Sequence, residues 1–154
     1  MARQRLQTYE VEPESLKAIL AMEKFVRKSS LDQKLRELVK IRASQINGCA
    51  WCLDMHTRDA VNDGEDPRRI FVVSAWREAP DLYTERERAA LEMTEYVTRI
   101  GEDGVPDDVW QRAKAVFDDN EMAQLLMAVC VINVWNRIAV ATHADLPDVP
   151  GESA

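Results

Sequence analysis

The sequence predicts an all-α protein. Apolar residues recur every three or four positions through most of the chain, and no segment alternates apolar and polar residues for long enough to form a strand. Residue pairs that favour the first turn of a helix, such as Asp66-Pro67, follow turns that contain glycine. We expect one domain over residues 1–154, built of about seven helices, with its core between about 31 and 143.

The first half of the chain contains the signals for an arm and four helices. Proline is favoured at the first position of a helix, a Ser-x-x-Gln pattern fits a capping box, and Asn-Gly tolerates the left-handed conformation that ends a helix. The predicted elements begin with an irregular arm over residues 1–11 and a helix from Pro13 to about Lys28. A second helix is opened by a capping box between Ser30 and Gln33 and ends near Asn47-Gly48. A third helix runs from about Cys49 to Asp63-Gly64, and a fourth starts at Asp66-Pro67 and is ended by Pro80.

The next segment predicts two further helices. Thr84 and Glu87 fit a second capping box, which opens a helix that Gly101 ends. A Gly-Val-Pro turn follows, and residues 107–117 form a short amphipathic helix in this prediction.

The last and longest helix is predicted over about 121–143, with Asn120 as its cap and a loose tail after Asp145. Its apolar residues lie on more than one side, so we expect it to be central or to be covered by another subunit, and we favour a homo-oligomer. Cys130 is predicted to be a core thiol. The apolar residues of this helix are Leu125, Leu126, Met127, Val129, Val131, Ile132, Val134, Trp135, Ile138 and Val140.

The composition excludes several classes of partner. A formal charge of −7 disfavours a nucleic-acid surface and an anionic membrane, both of which need basic patches. No apolar segment typical of a signal peptide follows Met1, and the most apolar stretch, residues 122–135, is shorter than a membrane span. We therefore expect a cytoplasmic protein. In that reducing compartment a close cysteine pair indicates catalysis or metal binding rather than a structural disulfide.

One stretch concentrates the side chains that are suited to chemistry. Cys49 and Cys52 are three residues apart at the start of a predicted helix, so the two sulfurs lie on one face within disulfide reach. His56 follows Cys52 by four residues and shares that face. The first turn of a helix has unpaired N–H groups and a positive dipole end, both of which favour a thiolate. The pattern indicates reactive thiols beside an imidazole that can accept a proton.

Glu37 adds a carboxylate on the preceding helix. If the two helices fold back antiparallel at Gly48, Glu37 reaches His56 directly or through a water and orients the imidazole. Each of the four side chains then has one role: Glu37 orients, His56 deprotonates, Cys52 attacks and Cys49 resolves.

A zinc site is the main alternative use of these residues. Cys49, Cys52 and His56 would supply three ligands, and Glu37 or His143 would supply the fourth. Zinc-binding cysteine pairs usually lie on a turn, however, and no second Cys/His pair follows. A thioredoxin-like site is disfavoured because no βαβ pattern surrounds the cysteines. We therefore favour a redox pair with no metal and no cofactor.

Glu37, the segment Cys49-Ala50-Trp51-Cys52 and His56 together resemble the signature of the alkylhydroperoxidase D-like (AhpD-like) proteins of the carboxymuconolactone decarboxylase superfamily. The similarity extends from about Leu31 to Ile100, and the segment Asn133–Arg137 also resembles one found in many relatives. The resemblance implies an all-helical subunit that assembles as a homo-trimer or a hexamer. That assembly agrees with an unusually apolar last helix.

The resemblance also implies a thiol-dependent peroxidase that reduces alkyl hydroperoxides or hydrogen peroxide. Cys52 would attack the peroxide and become a sulfenic acid, which Cys49 would convert to a disulfide. Glu37 and His56 would form the proton relay. An external dithiol, either a lipoyl group or a thioredoxin-like protein, would reopen the disulfide.

One position departs from the family pattern. The best-known member has a histidine between the two cysteines, where this chain has Trp51, so the relay loses one group and Trp51 would instead shape an apolar pocket for an organic hydroperoxide. Two other functions remain as alternatives. One is a decarboxylase of the same superfamily, which acts on a lactone acid without a redox cysteine pair, and the other is a non-catalytic redox sensor. The cysteine pair favours the peroxidase.

Overall fold

The computed structural model describes residues 4–146, and within that range the chain forms helices and no strands. The all-α prediction is confirmed. The α-helices are α1 (Thr8–Val11), α2 (Pro13–Arg27), α3 (Gln33–Asn47), α4 (Ala50–Asn62), α5 (Pro67–Val72), α6 (Glu85–Thr98), α7 (Asp107–Lys114) and α8 (Asp119–Thr142). Two short 3₁₀ segments, Val73–Glu78 and Pro80–Leu82, connect α5 to α6.

The start of α3 differs from the prediction. Asp32, not Ser30, is the N-cap, and its carboxylate accepts the backbone N–H of Leu35 at 3.2 Å. Ser30 instead donates its backbone N–H and its hydroxyl to Gln124 Oε1, at 3.1 and 2.8 Å. The predicted capping box is wrong because the hydroxyl of Ser30 is used in a contact with α8.

The cap of α8 also differs. Asp118 accepts the N–H of Glu121 at 2.8 Å and the Glu121 side chain accepts the N–H of Asp118 at 3.1 Å, so the capping box begins two residues before Asn120. The capping box predicted for the sixth helix, by contrast, is confirmed between Thr84 and Glu87. Asn120 is exposed within the first turn of α8.

The arm predicted over residues 1–11 contains one short helix, α1. The backbone N–H of Arg5 donates to Thr142 O at 2.7 Å, and the ring of Tyr9 packs edge-on against Trp135 with centroids 5.9 Å apart. The N-terminal segment is therefore held against the end of α8. The predicted loose tail after Asp145 lies almost wholly outside the described residues.

Helix α3 is the centre of the subunit and packs against α4, α6 and α8. Most of its apolar side chains are buried, and all of these except Ala43 divide between two clusters of the core. The first cluster joins α3 to α6, α7 and α8, and the second joins it to α4, α5, the 3₁₀ segment that follows α5, and α6. The buried apolar residues of α3 are Leu35, Leu38, Val39, Ile41 and Ala43.

Helix α8 is central on one side and exposed on another. Within the described residues it is the helix with the length and apolar composition of a membrane span, and it packs against α2, α3 and α6. Cys130 is exposed, so its prediction as a core thiol is wrong. The helix has apolar residues on more than one side, and the subunit alone does not cover the side on which Cys130 lies.

Candidate functional site

The cysteine pair begins at a sharp turn between α3 and α4. Gly48 ends α3 in the left-handed conformation, with φ at 65°, which a residue without a Cβ adopts most readily. Cys49 is the N-cap of α4, and its sulfur accepts the backbone N–H of Cys52 at 3.3 Å. The predicted position of the cysteines at the start of a helix is therefore observed.

Cys49 and Cys52 form a disulfide, with their Cα atoms 5.4 Å apart. Each cysteine is only 1% exposed. Both belong to a small apolar cluster between α3, α4 and α8, which also contains Ala43, Ile132, Trp51, Trp135 and Ala139. This environment shields the sulfurs from bulk water.

Glu37 and His56 meet across the two helices. His56 Nδ1 lies 2.8 Å from Glu37 Oε2, and both side chains are largely buried. An ionised carboxylate can only accept hydrogen bonds, so Nδ1 carries the proton in this contact and Nε2 is left to accept another. The direct contact expected from an antiparallel fold at Gly48 is therefore present in the structure.

Two further charged residues extend this pair, and the sequence analysis missed both. Lys40 Nζ lies 2.8 Å from Glu23 Oε1 and 3.5 Å from Glu37 Oε1, and Lys40 is 7% exposed. Glu23 Oε2 also accepts the indole N–H of Trp135 at 3.4 Å. The spacing of Glu37 and Lys40 on one helix could have revealed their contact, whereas Glu23 lies on α2 and carries no local signal.

The ionisation of Glu37 follows from these neighbours. Burial raises the pKa of Glu37, but its hydrogen bonds and electrostatic interactions with His56 and Lys40 outweigh the effect of burial, so that the pKa lies below its ordinary value of 4.5. Glu37 is therefore a carboxylate at neutral pH and accepts the proton-bearing nitrogen of His56.

These groups line one open cavity of about 610 Å³ between α2, α3 and α4. Cys52 faces this cavity, whereas Cys49 lines a separate one of about 290 Å³ on the other side of Trp51. The polar wall of the larger cavity includes Glu23, Glu37, Lys40, His56 and Asp59, and its apolar wall consists of Leu20, Trp51, Met55 and Trp135. A molecule in this cavity would meet Cys52 and an ionisable pair beside an apolar surface.

A buried amide network holds the turn that carries the cysteines. Asn47 Nδ2 donates to the side-chain oxygens of Asn133 and Asn136, both at 2.9 Å. Asn136 Nδ2 donates in turn to Ser44 Oγ at 3.0 Å, and Asn136 is fully buried. The network joins the end of α3 to α8, so α8 fixes the position of the segment before Gly48.

The zinc alternative is not supported by the described residues. Between residues 4 and 146, no three Cys, His, Asp or Glu side chains are arranged to hold a metal ion. His143, the alternative fourth ligand, lies at the C-terminal end of α8 and lines the smaller cavity, whereas His56 lines the larger one.

Residues 13–96 match the model of the carboxymuconolactone decarboxylase family. The chain belongs to that family. It is 44% identical over 138 residues to the uncharacterized protein YdfG of Bacillus subtilis, covering 90% of this chain and 93% of YdfG. This match covers nearly the whole of both chains.

Solved structures agree with this family. A protein of unknown function from Agrobacterium tumefaciens, ATU0492, described as a candidate antioxidant defence protein AhpD, has a TM-score of 0.91 and 41% identity, over 96% of this chain and 100% of its own. An uncharacterized peroxidase-related protein from Silicibacter sp. TM1040 has a TM-score of 0.79 and 25% identity, over 92% of this chain and 74% of its own. The predicted AhpD-like membership and fold are confirmed.

Proposed function

We propose that this AhpD-like protein is a cytoplasmic thiol-dependent peroxidase that reduces alkyl hydroperoxides and hydrogen peroxide. One observation carries the proposal. Cys52, half of a Cys49–Cys52 pair, faces the same cavity as the hydrogen-bonded Glu37 and His56. A nucleophile, a base and a group that orients the base are thus gathered at one surface, as nucleophilic catalysis requires.

The reaction starts with both cysteines reduced. His56 Nε2 takes the proton of Cys52, and the thiolate attacks the terminal oxygen of the hydroperoxide. The O–O bond breaks, the S–O bond forms, and the alkoxide leaves as an alcohol after taking the proton from His56. Cys52 is then a sulfenic acid, oxidised by two electrons, and Glu37 has stabilised the imidazolium throughout.

Cys49 completes the oxidative half of the cycle. Its thiolate attacks the sulfur of the sulfenic acid, the S–S bond forms, and the hydroxyl group leaves as water with the proton that Cys49 gave up. An external dithiol, a lipoyl group or a thioredoxin-like protein, then reduces the disulfide by two successive thiol–disulfide exchanges. Each turn of the cycle converts one hydroperoxide and one dithiol to an alcohol, water and a disulfide.

The relatives and the cavity support this proposal. The Agrobacterium protein, of unknown function, is described as a candidate antioxidant defence protein, and the Silicibacter protein as an uncharacterized peroxidase-related protein. The cavity of about 610 Å³ is large for hydrogen peroxide, and its apolar wall includes Trp51 and Trp135. An organic hydroperoxide would place its alkyl group against this wall and its peroxide oxygens toward Cys52.

The test is a titration of free thiols before and after one equivalent of cumene hydroperoxide, followed by turnover with dihydrolipoamide. We expect wild-type protein to lose two thiols per subunit and to regain them with the dithiol. Cys52→Ser should abolish peroxide consumption, whereas Cys130→Ser, at an exposed thiol midway along α8 that does not line the site cavity, should leave it unchanged. Turnover by Cys52→Ser would contradict the assignment of the attacking sulfur. Oxidation without dithiol-driven turnover would favour the redox sensor.

A further inference from the structure

The ammonium group of Lys40 lies between two carboxylates at the wall of the site cavity. Its Nζ is 2.8 Å from Glu23 Oε1 and 3.5 Å from Glu37 Oε1. Glu37 uses its other oxygen, Oε2, for the 2.8 Å contact with His56 Nδ1. The side chain of Lys40 is 9% exposed, so its charge acts on Glu37 with little screening by bulk water.

Other charged groups line the same cavity from the helices around Lys40. They are Arg27 on α2, Arg36 on α3, Asp59 on α4 and Asp63 at the end of α4. Arg36 donates to the carbonyl oxygen of Leu31, and Asp63 accepts from Gln33 at 2.5 Å. The polar contacts that Glu37 itself makes are those with His56 and Lys40.

We propose that Lys40 is a positioning residue of this site, which rests on the proposed peroxidase function: it holds Glu37 as an ionised carboxylate with one oxygen turned to His56. An ionised Glu37 accepts the Nδ1–H of His56 and so leaves Nε2 to take the proton of Cys52. Lys40 thus acts through Glu37 and does not touch the reacting atoms. Glu23 anchors the ammonium group from α2.

The charge of Lys40, rather than its bulk, is the feature that needs explanation. Burial of an ammonium group is unfavourable unless it is paired. A methionine has a similar length and would fill the same space without that penalty. The observed pairing with two carboxylates indicates that this position is used for its electrostatic effect on Glu37.

The protonation of Glu37 tests this inference directly. Carbon-13 NMR of the glutamate carboxyl groups in the reduced full-length protein measures the pH midpoint at which Glu37 is half protonated. The resonance of Glu37 is assigned by its absence in Glu37→Gln. Lys40→Met should raise the pH midpoint of Glu37 by about one unit or more, because a nearby opposite charge lowers a carboxyl pKa by about 1–3 units. Lys40→Arg, which keeps the charge, should stay close to wild type. Lys24→Met, which removes an exposed charge from α2, is the matched control and should leave the midpoint unchanged.

An unchanged midpoint in a folded Lys40→Met protein would overturn the inference, with thermal unfolding showing that the variant is folded. Glu23→Gln provides a second variant, in which the expected shift of the Glu37 midpoint has the opposite sign. It removes a competing carboxylate and leaves the ammonium group to Glu37, so the Glu37 midpoint should fall. A rise in that variant would also overturn the inference.

Peroxide consumption separates this inference from the proposed function. Glu37 stays ionised at pH 7 after a rise of about one unit from a pKa below 4.5, so we expect kcat/KM of Lys40→Met to stay close to wild type at pH 7 and the acid limb of its pH profile to move up by about one unit. If wild-type protein consumes no peroxide but the Glu37 midpoint still follows the charge at position 40, the peroxidase proposal fails and the control of Glu37 by Lys40 stands. If wild-type protein is active and neither the midpoint nor the acid limb of kcat/KM responds to Lys40→Met, Lys40 has no positioning role.

Discussion

The contact between Glu37 and His56 links two buried titratable groups on different helices. Each oxygen of Glu37 has its own positively charged or proton-bearing partner, with His56 on one side and Lys40 on the other. Such a carboxylate has little freedom to rotate, so the imidazole that it holds is also fixed in orientation. This arrangement fits a base that must present one nitrogen to Cys52.

Glu37→Gln is expected to lower kcat/KM for an organic hydroperoxide roughly a hundredfold, because the amide keeps the shape of Glu37 but not the charge that orients and stabilises the imidazole. Peroxide consumption at pH 7 measures the effect. The matched control is Glu102→Gln, which makes the same chemical change on an exposed turn and should keep wild-type activity. Equal activity in the two variants would contradict the relay.

The same residue gives stability a defined pH dependence. The pKa of Glu37 is lower in the folded protein than its ordinary value of 4.5, so the folded state binds this proton less readily than the unfolded state. Its contribution to the free energy of unfolding is therefore complete above about pH 4.5 and is lost as the pH falls through the lower folded value. Denaturant unfolding of wild type and Glu37→Gln across this range should show a steeper acid loss in the wild type.

The sequence could predict those contacts of the site that lie within one helix or across one turn, but not the contacts between helices that are distant in sequence. Cys49, Cys52 and His56 lie on one helix, so their spacing alone places them on one face. The contact of Glu37 with His56 needed only an antiparallel turn at Gly48. Glu23 reaches Lys40 from α2, and the packing angle between α2 and α3 decides that contact, which no local pattern encodes.

Among the secondary-structure elements, the turn between α3 and α4 determines where the two cysteines lie. Asn47 ties the end of α3 to α8, Gly48 reverses the chain, and Cys49 caps the next helix. The sequence indicated this turn because Asn-Gly is a typical helix stop. It did not indicate the cap of α3, since Ser30 and Asp32 are both good capping residues and the contact of Ser30 with Gln124 decides between them.

Gly48→Ala is expected to lower the free energy of unfolding by about 1–2 kcal/mol, because an L-residue is strained in the left-handed conformation that Gly48 adopts. Urea unfolding of the reduced protein measures the change. Gly101→Ala is the matched control, because a Cβ there also meets nothing within 4 Å and Gly101 is not among the glycines with positive φ. A loss of stability in Gly101→Ala as large as in Gly48→Ala would contradict the assignment to backbone strain.

At the scale of the whole molecule, α8 has more apolar surface than one subunit covers. One stripe along the helix comprises exposed Ala123, Cys130, Arg137 and Ala141 and half-buried Met127 and Val134, so Arg137 is its one charged residue. A helix with apolar residues on more than one side has two explanations, a central position or a cover from another subunit. The structure shows a central position for one side of α8, which is packed in the core, and it leaves this stripe uncovered within the subunit. Cys130 was predicted to be buried because the sequence does not show which side the subunit covers.

We propose that the stripe on α8 joins copies of this chain into a homo-oligomer, a trimer or a hexamer. Val134→Arg should then dissociate the assembly, because an arginine in an apolar interface would be buried without a partner. Light scattering coupled to size-exclusion chromatography measures the mass of the particle. Gln111→Arg adds the same charge on the exposed side of α7 and should leave that mass unchanged. A wild-type mass equal to one subunit of 17.6 kDa, or an assembly that Val134→Arg leaves intact, would show that this stripe is not the interface.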